Sequence, residues 1–521
     1  MDQREGIAKS ATVVSSATFV SRLFGLAREQ VFAHFFGATL ATDAFVAAFR
    51  IPNLLRDLFA EGALSAAFVP VFTETMVNKG KKDAFHLANL LLNGLVIVLS
   101  GVVLVGILVT PWIVDLIAPG FSKTPGKAEL TTVLARIMFP FLPLVSLAAV
   151  SMGMLNSLKR FGVPAFAPVF LNLGMILAGF LICPLFEEPI VGMAVGALLG
   201  GMGQWLFQVP TLRKEGFRYK AVLSFRDPGF RRIMLLMAPA VVGLASTQIN
   251  IFVNTMIASS IKGAVSWLNY SFRLMHFPLG MFGVAVATVT LPALAGYAAR
   301  KDIPNVLSTC NSSLRLVLFL TIPSTFFLAV AARPIISVFY QHGVFQYADT
   351  VSTAQALLFY AVGLLAYSSV RVLAQVFYSL GDTRTPVKTS MLAVAVNITL
   401  NLLVVRSLGF IGLALATSVS AFVNLAGLAL SLNRRAGRLD FAGLSRHVGR
   451  VMACSLLMAA AVFTAMKVFP LSLETAGLGP RAVNLILLTV IAGGSYFVFS
   501  TVFKIKELSL LMRIFRRSRP A

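Results

Sequence analysis

Arginine residues occur in this chain where a membrane-spanning segment would normally have none. Ten of its 44 Lys and Arg residues fall inside stretches apolar enough to cross a membrane. An ionisable group at bilayer depth costs about 2.5–3.5 kcal/mol on insertion scales, so such a residue usually faces a water-filled interior and has a function. Four of the ten lie within the first two stretches, and we interpret them as the wall of a cavity that binds an anion. They are Arg22, Arg28, Arg50 and Arg56.

Three acidic residues near these arginines could act as partial counter-ions. They are Asp43, Asp57 and Glu61. Asp43, Arg50 and Asp57 are spaced by seven, which keeps them near one helical face, although Pro52 disturbs the phase after it. An excess of guanidinium groups favours a phosphate or carboxylate ligand, because the planar fork pairs bidentately with either.

A structural alternative exists for each of these cations. The arginines could neutralise the neighbouring acids and extend their charged ends to the cytosolic interface. We prefer this alternative for the cations nearer the ends of spans, which are Arg136, Arg315, Arg333 and Lys467.

The elements that position these residues are membrane helices. Hydrophobic residues make up 57% of the chain and charged residues 12%, with a mean hydropathy of +0.84, whereas soluble domains have about 25% charged residues. Because one span needs about 20 apolar residues, we predict an all-α polytopic membrane protein with fourteen spans. They lie at approximately 11–37, 41–77, 85–118, 131–158, 161–185, 188–212, 233–260, 264–299, 305–340, 351–380, 385–406, 408–433, 447–470 and 482–503.

The distribution of basic residues predicts the topology. Loops assigned to the cytosol contain 29 Lys and Arg residues and the opposite loops contain 5, a strong positive-inside asymmetry. We therefore predict a multi-pass membrane protein with both termini in the cytosol. The net charge of +24 needs no nucleic-acid partner, because no segment outside the membrane is long enough to form a soluble DNA-binding domain.

An internal repeat predicts the domain organisation. Five landmarks recur in the same order 220–223 residues later in the chain. They imply two six-helix lobes, 1–222 and 223–440, with two further helices and a basic tail in 441–521. Lobes with an even number of spans share one orientation, and two such lobes around a midplane cavity are typical of alternating-access transporters. The landmark pairs are Phe49-Arg50/Phe272-Arg273, Val69-Pro70/Leu291-Pro292, Pro111/Pro334, Ser157-Leu158/Ser379-Leu380 with Pro164/Pro386, and 190–194/410–414.

Several sequence blocks resemble a known family. The first two spans read SRLFGLAREQVFAHFFGA and TDAFVAAFRIPNLLRDLFAEGALSAAFVPVF, the seventh and eighth include VSWLNYSFRLMHFPLGMFGVAVATVTLPAL, and FYSLGDTRTPVK follows the tenth. These blocks closely resemble the MurJ (MviN) lipid II flippases of the MOP exporter superfamily, and the resemblance covers essentially the whole chain.

The resemblance implies a transporter and not an enzyme. It implies movement of lipid II, the undecaprenyl-pyrophosphate-linked peptidoglycan precursor, to the periplasmic leaflet for cell-wall biogenesis and cell shape, by a chain that we expect to be monomeric among membrane lipids. Arginines at the positions of Arg22, Arg28, Arg56 and Arg273 are the essential cavity cations of the family. The last two helices there form a groove for the lipid tail. No cofactor is implied.

The chain departs from the family pattern at two places. Some members have acids where this chain has Phe272 and His276. Members with a sodium site use acidic and amide groups with a Thr, and the residues that correspond here have no carboxylate, which weakens the site for a cation. We therefore leave open coupling to a monovalent cation, although the membrane potential is preferred. The weak sodium candidates are Asn254 (or Asn250), Asn397, Asn401 and Thr417.

Two alternative functions belong to the transporter class. A multidrug exporter of the same superfamily would have twelve spans and usually an acid-lined cavity. A flippase for another polyprenyl-pyrophosphate-linked oligosaccharide fits the charge but not the sequence blocks. A membrane enzyme acting on polyprenyl pyrophosphates would need a clustered Asp- or His-based site, which the scattered acids and five His residues do not supply.

Overall fold

The protein is built from α-helices. The computed structural model describes residues 2–57, 63–437 and 439–509, and no strand occurs in these ranges. The predicted all-α class is thus confirmed. The α-helices are α1 (Asp2–Phe36), α2 (Leu40–Arg56), α3 (Ala63–Asn78), α4 (Lys81–Ile117), α5 (Lys127–Met138), α6 (Phe141–Ser157), α7 (Gly162–Phe166), α8 (Pro168–Leu181), α9 (Ile190–Leu206), α10 (Val209–Lys214), α11 (Pro228–Ala258), α12 (Ala264–Pro278), α13 (Ala285–Ala299), α14 (Ile303–Val330), α15 (Ala332–Phe339), α16 (Tyr347–Ser379), α17 (Arg384–Ala436), α18 (Phe441–Val468) and α19 (Leu478–Val502).

Ten helical stretches in the described part of the chain are long and apolar enough to cross a membrane. One of them, α17, is interrupted at Gly409, where φ is 57° and ψ is −139°. Two of the predicted spans, 385–406 and 408–433, therefore meet at this glycine without a loop. The remaining predicted spans coincide with α1, with α2 and α3, and with α11, and the count of fourteen stays a prediction.

Several predicted spans consist of two helical pieces joined at a proline. The pieces α5 and α6 meet at Phe139 and Pro140. In the span 264–299, α12 ends at Pro278 and a π-helix, Leu279–Val284, leads into α13. Proline removes a backbone donor and breaks the α-helical ladder, and membrane helices tolerate it where neighbouring groups satisfy the freed carbonyls.

Glycines bring the backbones of α8 and α9 into direct contact. A Cβ atom on Gly174 would lie 2.5 Å from the Gly200 Cα atom, and one on Gly196 would lie 2.4 Å from the Ala178 Cβ atom. Gly196 and Gly200 are four residues apart and share one helical face, the small-residue pattern that lets membrane helices approach closely. Larger side chains at these positions would force the two helices apart.

By its internal contacts the chain divides into two compact units, Met1–Val265 and Ser266–Ala521. Helix α11 therefore packs with the first unit, although the repeat assigns it to the second lobe. A contact division and a sequence repeat need not share limits, so the predicted lobes 1–222 and 223–440 and the segment 441–521 stay predictions.

Helices α18 and α19 are tied to the rest of the second unit by polar contacts. The Tyr496 hydroxyl donates to the Phe319 carbonyl oxygen over 2.7 Å. The buried Arg481 guanidinium donates to the Gln341 carbonyl oxygen over 2.9 Å. These contacts lie near opposite ends of α19, so the helix is held along its length.

Candidate substrate-binding site

The first helix places one predicted site residue in a buried ion pair and the other in an exposed position. Arg28 is 8% exposed, and its Nη2 atom lies 2.5 Å from the Glu29 Oε1 atom. Its Nη1 atom also lies 4.0 Å from the Met175 sulfur of α8. Arg22 lies nearly two turns earlier on α1 and is exposed. The adjacent acid Glu29 was not among the predicted site residues, although it lies within the AREQ part of the first sequence block.

The end of α2 carries a second arginine paired with the acid that follows it. The Arg56 Nη2 and Nε atoms lie 2.9 and 3.2 Å from the Asp57 Oδ1 atom. The other carboxylate oxygen of Asp57 accepts a hydrogen bond of 3.1 Å from the Gln248 Nε2 atom of α11. Arg56 is therefore held where α2 and α11 meet. Glu61, a predicted site residue, lies outside the described residues.

Arg50 contacts α11 directly. Its Nη1 atom donates to the Ile251 carbonyl oxygen over 3.1 Å and also to the Thr255 hydroxyl. A pocket next to it is lined by Arg50, Asn53, Leu54, Ile117, Gln248, Ile251, Phe252 and Thr255. Arg50 and Asp57 thus both contact α11. The contact of Arg50 with Thr255 of α11 was not predicted from the sequence.

Asp43 is the most deeply buried of the predicted site residues in the first unit, being 1% exposed. Its Oδ2 atom lies 2.8 Å from the Lys127 Nζ atom and accepts a hydrogen bond of 3.2 Å from the Gly263 backbone N–H. Lys127 also lies over the Phe121 ring, 4.1 Å from its centroid. Nothing local in the sequence links Lys127 to an acid 84 residues earlier.

Arg273 belongs to the second unit and lies on α12, where its side chain is exposed. One turn further, the His276 ring lies 4.1 Å from the Phe272 ring, centroid to centroid, and its Nδ1 atom is 3.0 Å from the Phe272 carbonyl oxygen. These are the two positions where some family members have acids. The neighbours of Arg273 on this helix at these two positions are therefore a phenyl ring and an imidazole in contact with each other.

The weak sodium candidates bond mainly to one another. In the second unit the Asn401 Nδ2 atom donates to the Asn397 Oδ1 atom over 2.9 Å, and the Asn397 Nδ2 atom donates to the Thr417 hydroxyl over 3.4 Å. In the first unit, Asn254 donates to the Asn250 Oδ1 atom over 3.0 Å. The amide oxygens of Asn397 and Asn250 already accept from amide donors, and no carboxylate is among these residues, so the set fits a sodium ion poorly. The arrangement fits contacts between helices.

Two loop carboxylates outside the membrane helices have shifted titration behaviour. Hydrogen bonds from Arg160 and from Lys81 lower the pKa of Glu215 below its ordinary value of 4.5. The Thr385 hydroxyl and backbone N–H, together with the nearby charge of Arg435, lower the pKa of Asp382 below 3.8. Both groups therefore stay ionised at neutral pH and join loop segments that are distant in sequence.

Comparison with known proteins identifies the family. The family model described as lipid II flippase MurJ matches residues 32–476. A probable lipid II flippase MurJ of Vibrio cholerae serotype O1 is 40% identical over 80% of this chain and 81% of its own length. A solved structure of lipid II flippase MurJ in an inward closed conformation, 27% identical, superposes with a TM-score of 0.79 over 94% of this chain and 98% of that one.

The fold is also shared with a wider group of transporters. An inward-facing multidrug resistance MATE family transporter of the MOP superfamily superposes with a TM-score of 0.68 over 84% of this chain and 99% of that one. At 15% identity this likeness shows the fold alone. The resemblance inferred from the sequence blocks is confirmed by these matches. The chain belongs to the lipid II flippase MurJ family.

Proposed function

We propose that this protein flips lipid II from the cytosolic to the periplasmic leaflet by alternating access, using its membrane-embedded arginines to bind the pyrophosphate. The observation that carries this proposal is the pairing of Arg28 and Arg56, on the first two spans of a chain of this family, with acids that are their sequence neighbours. Side chains at adjacent helical positions diverge, and in both pairs the guanidinium contacts one carboxylate oxygen of its acid. Such an acid is a poorer partner for a guanidinium fork than an anion presented from the cavity.

The pyrophosphate of the substrate would compete with Glu29 and Asp57 for these two arginines. A diphosphate presents several oxygens, and the guanidinium fork pairs with them bidentately. Arg22 and Arg273, both exposed in their own units, would supply further positive charge. Arg50 and Asp43 would act differently, since both are engaged by α11 or by the residues that follow it.

The remaining properties follow from the same proposal. The polyprenyl tail would stay in the membrane, against a groove formed by α18 and α19. We place the protein in the bacterial inner membrane, as its family implies, and we expect it to act as a monomer. Its asymmetric loop charge places both ends in the cytosol. We propose that the membrane potential and not sodium supplies the energy, because the amide groups are hydrogen-bonded within α11 and, separately, within α17 and include no carboxylate.

The test combines growth with direct measurement of flipping. Arg28→Ala, Arg56→Ala and Arg273→Ala should each abolish complementation of a flippase-depleted bacterium and lower lipid II flipping in proteoliposomes by at least about tenfold, because losing one charge-assisted pair of about 1.5–3 kcal/mol corresponds to that factor. The measurement compares flipping rates at equal amounts of protein in the membrane.

Arg333→Ala is the matched control, because Arg333 is an exposed cation near the end of a helix. It should grow and flip like the wild type. Wild-type growth of all three test variants at normal expression would reject the proposed anion site, while an inactive wild-type protein in the lipid II assay would reject the substrate.

A further inference from the structure

The segment that connects the first six spans to α11 is bonded to α4. The Asn89 side chain pairs with this segment in both directions: its Oδ1 atom accepts from the Lys220 N–H over 3.0 Å, and its Nδ2 atom donates to the Arg218 carbonyl oxygen over 3.1 Å. One turn later, the Asn93 Nδ2 atom donates to the carbonyl oxygens of Lys220 and Val222, each over 2.8 Å.

A fifth hydrogen bond comes from the segment itself. The Tyr219 hydroxyl donates to the Asn93 Oδ1 atom over 2.7 Å. We call Asn89, Asn93 and Tyr219 the linker clamp. Its hydrogen bonds involve both the Oδ1 and the Nδ2 atoms of Asn89 and Asn93. Asn89 is only 2% exposed. Partners of this kind fix both the position and the direction of an otherwise extended segment.

The first turn of α11 is fixed to the same helix just beyond the clamp. The Asp227 carboxylate caps α11 by accepting from the Phe230 N–H over 3.0 Å. A Cβ atom on Gly94 would lie 2.7 Å from the Phe230 ring, so this ring fills the space above a glycine that directly follows Asn93. Arg232 adds an ion pair of 2.8 Å to Glu74 of α3. The start of α11 therefore has no freedom to move away from α3 and α4 without breaking several contacts.

The opposite end of α11 is held by Arg50, which donates to Ile251 and Thr255, and by two hydrogen bonds beyond Thr255. The Gly120 N–H donates to the Ser259 hydroxyl over 3.1 Å, and the Gly263 N–H donates to Asp43 over 3.2 Å. These two bonds join separate elements. They lie in the short connection that leads from α11 into α12.

In the second unit, the residue that corresponds to Asn93 in the repeat contacts the residue that precedes α18. Arg315 of α14 lies 222 residues after Asn93, and its Nη2 atom donates over 2.7 Å to the Asp440 carboxylate that precedes α18. Asp440 caps α18 through the Gly443 N–H, as Asp227 caps α11. A glycine with positive φ follows the preceding helix in both cases. It is Gly216 after α10, with φ 92°, and Gly437 after α17, with φ 112°.

We propose that the linker clamp makes the start of α11 a fixed end during transport, so that the helix moves at its other end, beyond Thr255. Asn89 and Asn93 are then positioning residues for flipping and do not touch the substrate. This inference rests on the proposed flipping activity. It predicts that the clamp stays closed in every state of the cycle, so a covalent bond in its place should be tolerated.

The test replaces the clamp by a covalent bridge. The Asn93 and Tyr219 side chains face each other, so the double variant Asn93→Cys/Tyr219→Cys loses the clamp bonds of both and can be joined by a short bifunctional thiol reagent. The native Cys183, Cys310 and Cys454 are buried, and wild-type protein treated with the same reagent controls for their reaction. Lipid II flipping is measured in proteoliposomes before and after bridging.

We expect the unbridged double variant to flip about tenfold more slowly than the wild type, because it loses three hydrogen bonds of about 0.5–1.5 kcal/mol each. We expect the bridged protein to recover most of the wild-type rate. Asn89→Ala should slow flipping by a smaller factor, and Asn78→Ala, at an exposed Asn on the neighbouring α3, should have no effect. Recovery by bridging separates positioning from general destabilisation, which a bridge after folding would not repair.

Three outcomes would overturn the inference while leaving the proposed function intact, since wild-type flipping is measured in the same assay. They are full activity of the unbridged variant, loss of activity on bridging, and no recovery in a variant that elutes as a folded monodisperse protein. If the double variant does not reach the membrane, Tyr219→Phe and Asn89→Ala decide the same question, because each removes only one or two of the bonds. Wild-type rates in both would overturn it.

Discussion

Arg50 illustrates how a single intramembrane charge can act on the protein itself. Its guanidinium donates to the backbone of α11 at Ile251 and to the Thr255 hydroxyl. A cation of this kind satisfies a helix carbonyl in a place where water is scarce, and its own desolvation is partly offset by those bonds. Arg28 and Arg56 differ from Arg50, since they form ion pairs with neighbouring acids.

Glu215 gives a test of how loop charges support the folded protein. Its pKa is lowered by Arg160 and Lys81, so its contribution to the free energy of unfolding is present above the ordinary pKa of 4.5 and is lost as the pH falls through the lower folded-state pKa. Glu215→Gln should therefore lower the melting temperature slightly at pH 7, because exposed ion pairs contribute little, and the difference from wild type should shrink below about pH 4.5. Thermal unfolding in detergent between pH 3 and 7 measures it.

Glu187→Gln is the matched control, because Glu187 is an exposed acid in another loop, and it should melt like the wild type at every pH. A Glu215→Gln difference that stays constant down to pH 3 would contradict the assigned ion pairs.

The sequence predicted the intramembrane cations but not most of their partners. An arginine in an apolar stretch is visible from composition alone, and Glu29 is a neighbour in the chain. The pairing of Asp43 with Lys127 joins residues 84 positions apart, and hydrophobic periodicity contains no information on such contacts. The contact of Arg50 with Thr255 likewise depends on how α11 packs.

At the scale of elements, the spans themselves follow closely from hydropathy. Predicted spans such as 85–118 and 447–470 lie within a few residues of α4 and α18, because a stretch that must satisfy its own backbone in lipid has to be helical. The internal breaks were less predictable, since a π-helix such as Leu279–Val284 depends on the packing of its neighbours.

The predicted repeat makes α18 and α19 an addition to two six-helix lobes, and this gives a prediction at the scale of elements. Ending the chain at about residue 446 removes both helices beyond the Arg315–Asp440 contact. The truncated protein should remain in the membrane and still bind a short-chain pyrophosphate analogue, but it should flip full-length lipid II at least about tenfold more slowly, since each buried CH₂ of the tail is worth about 0.8 kcal/mol. Flipping of short-chain and long-chain substrates is compared.

Arg481→Gln provides a milder variant that leaves both helices in place but alters the contact with Gln341. It should show a smaller loss, again for the long-chain substrate. Equal flipping of both substrates by the truncated protein would show that the groove is dispensable.

At the scale of the whole molecule, an excess of positive charge in the spans links transport to the membrane potential. Moving one elementary charge across 100 mV is worth about 2.3 kcal/mol, and the charge of the cavity changes when a pyrophosphate enters it. Flipping in proteoliposomes should therefore rise several-fold with an imposed potential and should change little with a sodium gradient. The measurement varies the two gradients independently.

Asn397→Ala serves as the internal control for this prediction, because it removes an amide that bonds both Asn401 and Thr417. Its potential dependence should match that of the wild type. A strict sodium requirement at fixed potential would contradict the prediction and would make these three residues the first candidates for an ion site.

The joint at Gly409 affects how the orientation of this protein can be mapped. Two spans meet there through one glycine with φ 57° and ψ −139°, a conformation that costs other residues steric strain. No polar connecting segment is available at this joint for a protease to cleave, an antibody to recognise or a reporter domain to be inserted without separating the helices. Orientation at this point is better established by labelling a single cysteine in place of Arg406, which lies in the last turn before the joint.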